Sequence, residues 1–221
     1  MVKRELITAI LFILVFNMAA MAQKKQLTYL ALGDSYTIGE SVPAAENFPN
    51  QLAKMLRDKG ISVETPDIVA KTGWTTSELK EGIAAAKLRE SYDYVTLLIG
   101  VNNQYRGLPA EDYAKEFEQL LKMAIQFAGD KASNVIVVSI PDWGATPFAR
   151  DRDRAKITEQ ITDFNLRNSR IAAKNNVKYV DITEGSREAF INPELVASDK
   201  LHPSGVEYNR WAKAIIKEIG L

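Results

Sequence analysis

The chain contains a single histidine, His202, in the run Ser198-Asp199-Lys200-Leu201-His202-Pro203, and far upstream Gly33-Asp34-Ser35 closes an apolar stretch. A serine hydroxyl becomes a nucleophile when an imidazole takes its proton and a carboxylate orients that imidazole. With one histidine in the chain, the only imidazole that could act as the base is His202. Asp199 stands three residues before it, close enough on a turn to hold one ring nitrogen and fix the tautomer. Ser35, His202 and Asp199 are therefore the candidate nucleophile, general base and orienting acid. Taken singly each has a plainer reading: Gly-Asp-Ser as a turn, Asp199 as a residue suited to the turn before a helix, and His202 as a packing or capping side chain.

Acyl transfer also needs hydrogen-bond donors aimed at the oxygen that gains charge, and losing one typically costs about 10²–10³ in rate. Three groups could supply them. Asn102, in Gly100-Val101-Asn102-Asn103, carries a side-chain amide; Gly73, in Thr72-Gly73-Trp74, offers a backbone N–H with no Cβ in the way; Ser35 has its own N–H. A turn glycine and a turn asparagine remain the plainer readings of Gly73 and Asn102 taken alone.

These residues need a scaffold that brings distant segments to one edge. Short apolar runs at 27–32, 94–99, 135–140 and 177–182 read as strands, as does a weaker run at 62–69 broken by Pro66. Continuous β-branched runs fit strands buried on both faces. Between them lie helical stripes: Tyr113, Phe117, Leu120, Leu121, Ala124 and Ala128; Ile157, Ile161, Phe164 and Ile171 with Asn168 as the polar break; and Tyr208, Trp211, Ala212, Ile215 and Ile219. Ser204-x-x-Glu207 reads as a capping box opening the last of these. Alternating strands and helices predict an α/β fold with a parallel sheet covered on both faces. In such sheets ligands bind beyond the carboxyl ends of the strands, where Ser35, Gly73 and Asn102 all fall; the loop carrying Asp199 and His202 can fold over the same rim.

Together the four blocks resemble the SGNH hydrolase superfamily, also called GDSL-type esterases and lipases. The matching residues are Gly33-Asp34-Ser35, Gly73 within Lys71-Thr72-Gly73-Trp74-Thr75-Thr76, Gly100-x-Asn102, and Asp199-x-x-His202. The resemblance implies a three-layer α/β/α sandwich of flavodoxin-like type, with a mainly parallel sheet of about five strands, and an acyl-enzyme mechanism on Ser35 without a cofactor. It departs at one place: the third block usually reads Gly-x-Asn-Asp, and this chain has Asn103 where the aspartate stands.

Composition narrows the alternatives. The chain has 28 basic and 28 acidic residues, which gives no electrostatic reason to expect nucleic acid. One histidine and no cysteine leave only carboxylates for a metal, and Asp151-x-Asp153 lacks the spacing of a calcium loop; Arg150 to Arg154 reads as a solvated helix start. No P-loop, no dinucleotide-binding glycine motif and no G-x-S-x-G elbow occurs. At the N-terminus, Lys3 and Arg4 precede an apolar run from Leu6 to Phe16 and then Met18-Ala19-Ala20-Met21-Ala22. This is the pattern of a signal peptide cut after Ala22, too short for a membrane span. The expectation is thus an exported (secreted or periplasmic) protein with a leader at 1–22, a single hydrolase domain at 23–221 and no stable membrane insertion. Its expected partner is a small-molecule or polysaccharide ester. Trp74, Tyr105 and Trp143, with Tyr36 and Phe148 in neighbouring loops, are the candidate substrate-binding aromatics, able to line an acyl pocket or stack on a sugar.

Overall fold

The computed structural model describes residues 26–220. The expected leader at 1–22 lies outside the described residues, and so do Gln23 to Lys25 and Leu221. Five strands, β1 (Tyr29–Gly33), β2 (Asp67–Ala70), β3 (Tyr94–Leu98), β4 (Val135–Val138) and β5 (Lys178–Val180), form one sheet in the order β2-β1-β3-β4-β5 with every pairing parallel. Strands β1 and β4 are buried throughout, and β3 from Val95 onward, as expected of a sheet covered on both faces.

Eight α-helices accompany the sheet among the described residues. Helices α1 (Ser35–Ile38) and α4 (Val101–Tyr105) are single turns following β1 and β3. Of the longer ones, α2 (Phe48–Asp58) packs against α8 (Gly205–Ile219); α3 (Thr76–Ala85), α5 (Ala110–Phe127) and α6 (Arg154–Lys174) pack in sequence as a second group. The remaining short turn is α7 (Thr183–Ser186). Among the described residues no helix is long and apolar enough to cross a membrane.

The order 2-1-3-4-5 reverses direction between β1 and β3, and a crevice opens at such a reversal beyond the strand ends. Ser35 follows β1 and Asn102 follows β3, so the topology alone sets them on either side of that crevice. Register brings the two strand ends level, with Gly33 paired to Leu98. Gly33 is needed there because a Cβ would lie 2.4 Å from the Leu98 carbonyl oxygen.

Three local expectations are corrected. The strand read over 62–69 begins only at Asp67; the residues before Pro66 make a single bridge, Leu27 to Val63, since proline has no N–H to give a ladder. The strand read to Ile140 ends at Val138, and the Ile140 backbone is instead satisfied on both sides by the Asn165 amide, at 2.8 Å each way. Ser204 does cap α8 through the Glu207 N–H, but the Glu207 carboxylate turns inward to the Trp211 indole N–H at 2.8 Å and does not complete the box. The reciprocal box occurs at Thr75 and Glu78, opening α3. Asn168, the polar break in its stripe, faces the hydroxyl of buried Tyr113 at 2.5 Å.

Candidate active site

Ser35 is the first residue of α1. Asp34 caps this turn by accepting the Tyr36 N–H at 3.0 Å, and Gly39, at φ 80°, ends it by donating to the Ser35 carbonyl. The serine is thus held on a tight strand-to-helix turn with its backbone N–H at the free end. Ser35 and His202 are both buried to within a few per cent, at 5% and 8% exposure.

The Asp199-His202 loop is built by its own carboxylate. Asp199 Oδ1 accepts the backbone N–H groups of Leu201 and His202, each at 2.9 Å, and Oδ2 lies 2.5 Å from His202 Nδ1. That contact makes Nδ1 the protonated nitrogen and leaves Nε2 free to accept. Ser41 Oγ donates to the same Oδ2 at 2.6 Å. Partial burial by itself raises the carboxyl, but the bonds from Ser41, the imidazole and the two amides outweigh it and hold Asp199 down to about 2. Tyr36 packs its ring on the imidazole at 5.4 Å between centroids and on Trp211 at 6.3 Å, so the histidine has an aromatic backing.

Opposite stand the other two blocks. Gly73 adopts φ 84°, a left-handed conformation that favours glycine. Asn102 Nδ2 donates one hydrogen to the Trp74 carbonyl at 2.9 Å, which orients the amide and leaves its second hydrogen available. Asn103 sits behind it, buried at 1% exposure. Its Oδ1 accepts the Thr76 N–H at 3.1 Å and its Nδ2 donates to Thr76 Oγ1 at 2.7 Å, while the Thr76 hydroxyl donates to Glu116 Oε2. The two segments carrying Gly73 and Asn102 are therefore laced together by both asparagines. Arg106 adds a further tie, from its guanidinium to the Gly73 carbonyl and to Glu78 at 3.2 Å.

A cavity of about 230 Å³ joins these groups, lined by Ser35, Gly73, Asn102 and His202 together with Tyr36, Thr72, Val101, Tyr105, Trp143, Phe148 and Leu201. Among the described residues Ser35 Oγ and the imidazole share this cavity without a direct hydrogen bond; such contacts commonly tighten only when substrate is bound. Of the aromatics expected near the rim, Tyr36, Tyr105, Trp143 and Phe148 line the cavity. Trp143 is the centre of that wall: its indole donates to Gln104 at 2.7 Å, and its ring meets Tyr105 at 5.3 Å and Phe148 at 6.1 Å. Trp74 is not among the lining residues. Its ring lies on Gly82 of α3, where a Cβ would come within 2.1 Å of it, so it closes the helix packing instead. Ser41 and Glu116 were not legible as site residues, because nothing in their sequence neighbourhood marks them.

A catalytic-type acid-imidazole pair facing a serine on a strand-end turn, over a parallel α/β sheet, defines a serine hydrolase of the α/β/α kind. The chain belongs to the GDSL-like lipase/acylhydrolase family, whose model matches residues 31–210, and it is an enzyme acting on ester bonds. Solved structures share its fold at low sequence identity. TesA is 17% identical with a TM-score of 0.69, over 87% of this chain and 98% of that one. A lipase/acylhydrolase from Enterococcus faecalis is 20% identical with a TM-score of 0.68, over 88% and 95%. A variant of Axe2, an acetyl xylan esterase from Geobacillus stearothermophilus, is 17% identical with a TM-score of 0.70, over 88% and 94%. No curated protein sequence matched the chain.

Proposed function

We propose that this protein is an exported serine esterase that cleaves short-chain carboxylic esters through an acyl-enzyme on Ser35. The observation that carries this reading is the shared cavity: Ser35, His202, Gly73 and Asn102 line one space, and the Asp199-His202 contact already sets the tautomer the reaction needs. In the first step Ser35 Oγ attacks the ester carbonyl as His202 Nε2 takes its proton, and Asp199 stabilises the imidazolium. The Ser35 and Gly73 N–H groups and the free Asn102 amide hydrogen hold the oxyanion. His202 then gives its proton to the departing alcohol, and water completes the cycle with the same groups. Export rests on the leader pattern at 1–22.

The acyl length follows from size. A cavity of about 230 Å³ falls below the roughly 300–1,000 Å³ of pockets that enclose a drug-sized ligand. Its walls at Val101, Trp143 and Leu201 are apolar. Both features suit a short acyl group and leave no enclosed room for a long one. A second reading, removal of acetyl groups from carbohydrate, is favoured by Tyr105 and Phe148, which line the cavity while remaining 50% and 40% exposed; aromatic faces so placed can stack on a sugar ring.

Hydrolysis of p-nitrophenyl esters from acetate to palmitate, by wild type and by Ser35→Ala, tests the proposal. Turnover that peaks at acetate to butyrate and vanishes in Ser35→Ala is expected. Equal rates in the two proteins would remove Ser35 from the mechanism, and a palmitate optimum would overturn the short-chain assignment.

A further inference from the structure

A second concavity begins where the catalytic one ends. It is a groove of about 550 Å³ bordered by Phe148, Arg150, Asp151, Pro193, Ser198 and Lys200, and Phe148 belongs to both spaces. The two walls are joined, since the Phe148 N–H donates to the Lys200 carbonyl at 3.0 Å. One wall is the segment that carries His202. In the proposed reaction the imidazole protonates the leaving oxygen, and Ser198 and Lys200 of the same segment line this groove.

The charge of the groove is uneven. Arg150 and Lys200 face it with Asp151 as the single acid, and among the described residues neither cation has an ion-pair partner. Lys200 is also conformationally conspicuous. It stands at φ 67°, a conformation that favours glycine or asparagine, because Asp199 gathers the Leu201 and His202 amides into the tight turn that presents it to the imidazole. A long cationic side chain placed where glycine fits best, in a groove that shares Phe148 with the catalytic cavity, points to use of that side chain. We propose that this groove is the alcohol-side subsite and that Arg150 and Lys200 select esters whose alcohol part carries an anion, a carboxylate or a phosphate. The inference rests on the esterase reading above and deepens it by naming the leaving group.

The test uses two matched pairs: the butyryl ester of 4-hydroxybenzoate against that of its methyl ester, and butyryl-glycerol phosphate against butyryl-glycerol. For each pair the ratio of kcat/KM values, anionic over neutral, is measured for wild type, Arg150→Gln, Lys200→Gly and the double variant. Comparing ratios between proteins cancels the intrinsic reactivity of the leaving groups. Exposed charge pairs of this kind are worth roughly two- to five-fold each, so the double variant should lose about 4–25-fold of the ratio, and 0.5 M salt should lower the wild-type ratio. The pair with the larger loss identifies carboxylate or phosphate as the anion. A ratio that stays within two-fold in the double variant on both pairs overturns the subsite alone. Failure of wild type to hydrolyse the neutral esters in a Ser35-dependent manner overturns the esterase reading, and the subsite with it.

Discussion

The Asn103 site allows the proposed oxyanion wall to be tested by one substitution and its rescue. Thr76 has a single hydroxyl hydrogen, and it goes to Glu116; Asn103 can sit beside it because its amide donates to Thr76 Oγ1, at 2.7 Å, and does not compete for that hydrogen. Asn103→Asp, which restores the usual residue of the third block, replaces the donor by a carboxylate oxygen. Two carboxylates then face one hydrogen. A buried polar atom left without a partner costs about 1–3 kcal/mol, more when charged, so we expect a loss of about 2–3 kcal/mol at neutral pH. In a chain of this size that is a fall in Tm of about 4–12 °C. Turnover of p-nitrophenyl butyrate should fall as well, since Asn102 is the adjacent residue and small displacements of an oriented donor are expensive. Glu116→Gln alone keeps an acceptor for Thr76 and should change little. In the double variant the Thr76 hydroxyl turns to the new carboxylate and the amide at 116 donates to Thr76 Oγ1, so both Tm and rate should recover. Thermal unfolding of the four proteins measures the coupling. Distant independent sites add within about 0.5 kcal/mol; an Asn103→Asp defect left unchanged by Glu116→Gln would refute the hydrogen-counting argument.

Two further outcomes follow from the ionisation of the site. Burial raises the Asp34 carboxyl from 3.8 to about 7, partly offset by the Tyr36 N–H and its own backbone, so the folded state keeps a proton that the unfolded chain releases, and stability falls as pH rises from about 4 to about 7. An asparagine side chain caps a helix as well as an aspartate does, so Asp34→Asn keeps α1 capped, and its urea midpoints at pH 5 and 8 should lie closer together than those of wild type; an unchanged separation would exclude Asp34 as their cause. At Asp199 the sign is opposite: a carboxyl held at about 2 is charged through the whole working range. Removing the 2.6 Å bond with Ser41→Ala lets it rise toward the ordinary range and loosens the imidazole, which should lower kcat about 2–10-fold with KM little changed and move the acid limb of the rate profile upward; an unaltered kcat and limb would show that Ser41 is only a neighbour.

What was legible in the sequence, and what was not, divides along one physical line. Ser35, Gly73 and Asn102 could be placed together because each lies within four residues of a strand's carboxyl end, and a parallel sheet sends all its strand ends to one rim. Asp199 and His202 could be paired because their contact spans three residues of one turn. Those inferences need only local spacing plus topology. Ser41, Arg106 and Glu116 reach the site through contacts with residues 158, 33 and 40 positions away, and no local pattern carries that information. The tryptophans show the same limit from the other side. Trp74 and Trp143 both sit in loops beyond strand ends and could not be told apart by type or position. Trp74 is drawn down onto α3 because Gly82 leaves a space that any Cβ would fill. Trp143 is held at the cavity because Gln104 accepts its indole N–H and Tyr105 and Phe148 brace its ring. A glycine on a helix and a glutamine on a single turn thus decide which tryptophan lines the cavity. The Asn103 departure belongs with these: alone it reads as a missing carboxylate, but Glu116 supplies the acceptor for the Thr76 hydroxyl from a different helix, so the hydrogen bonds around Thr76 remain satisfied.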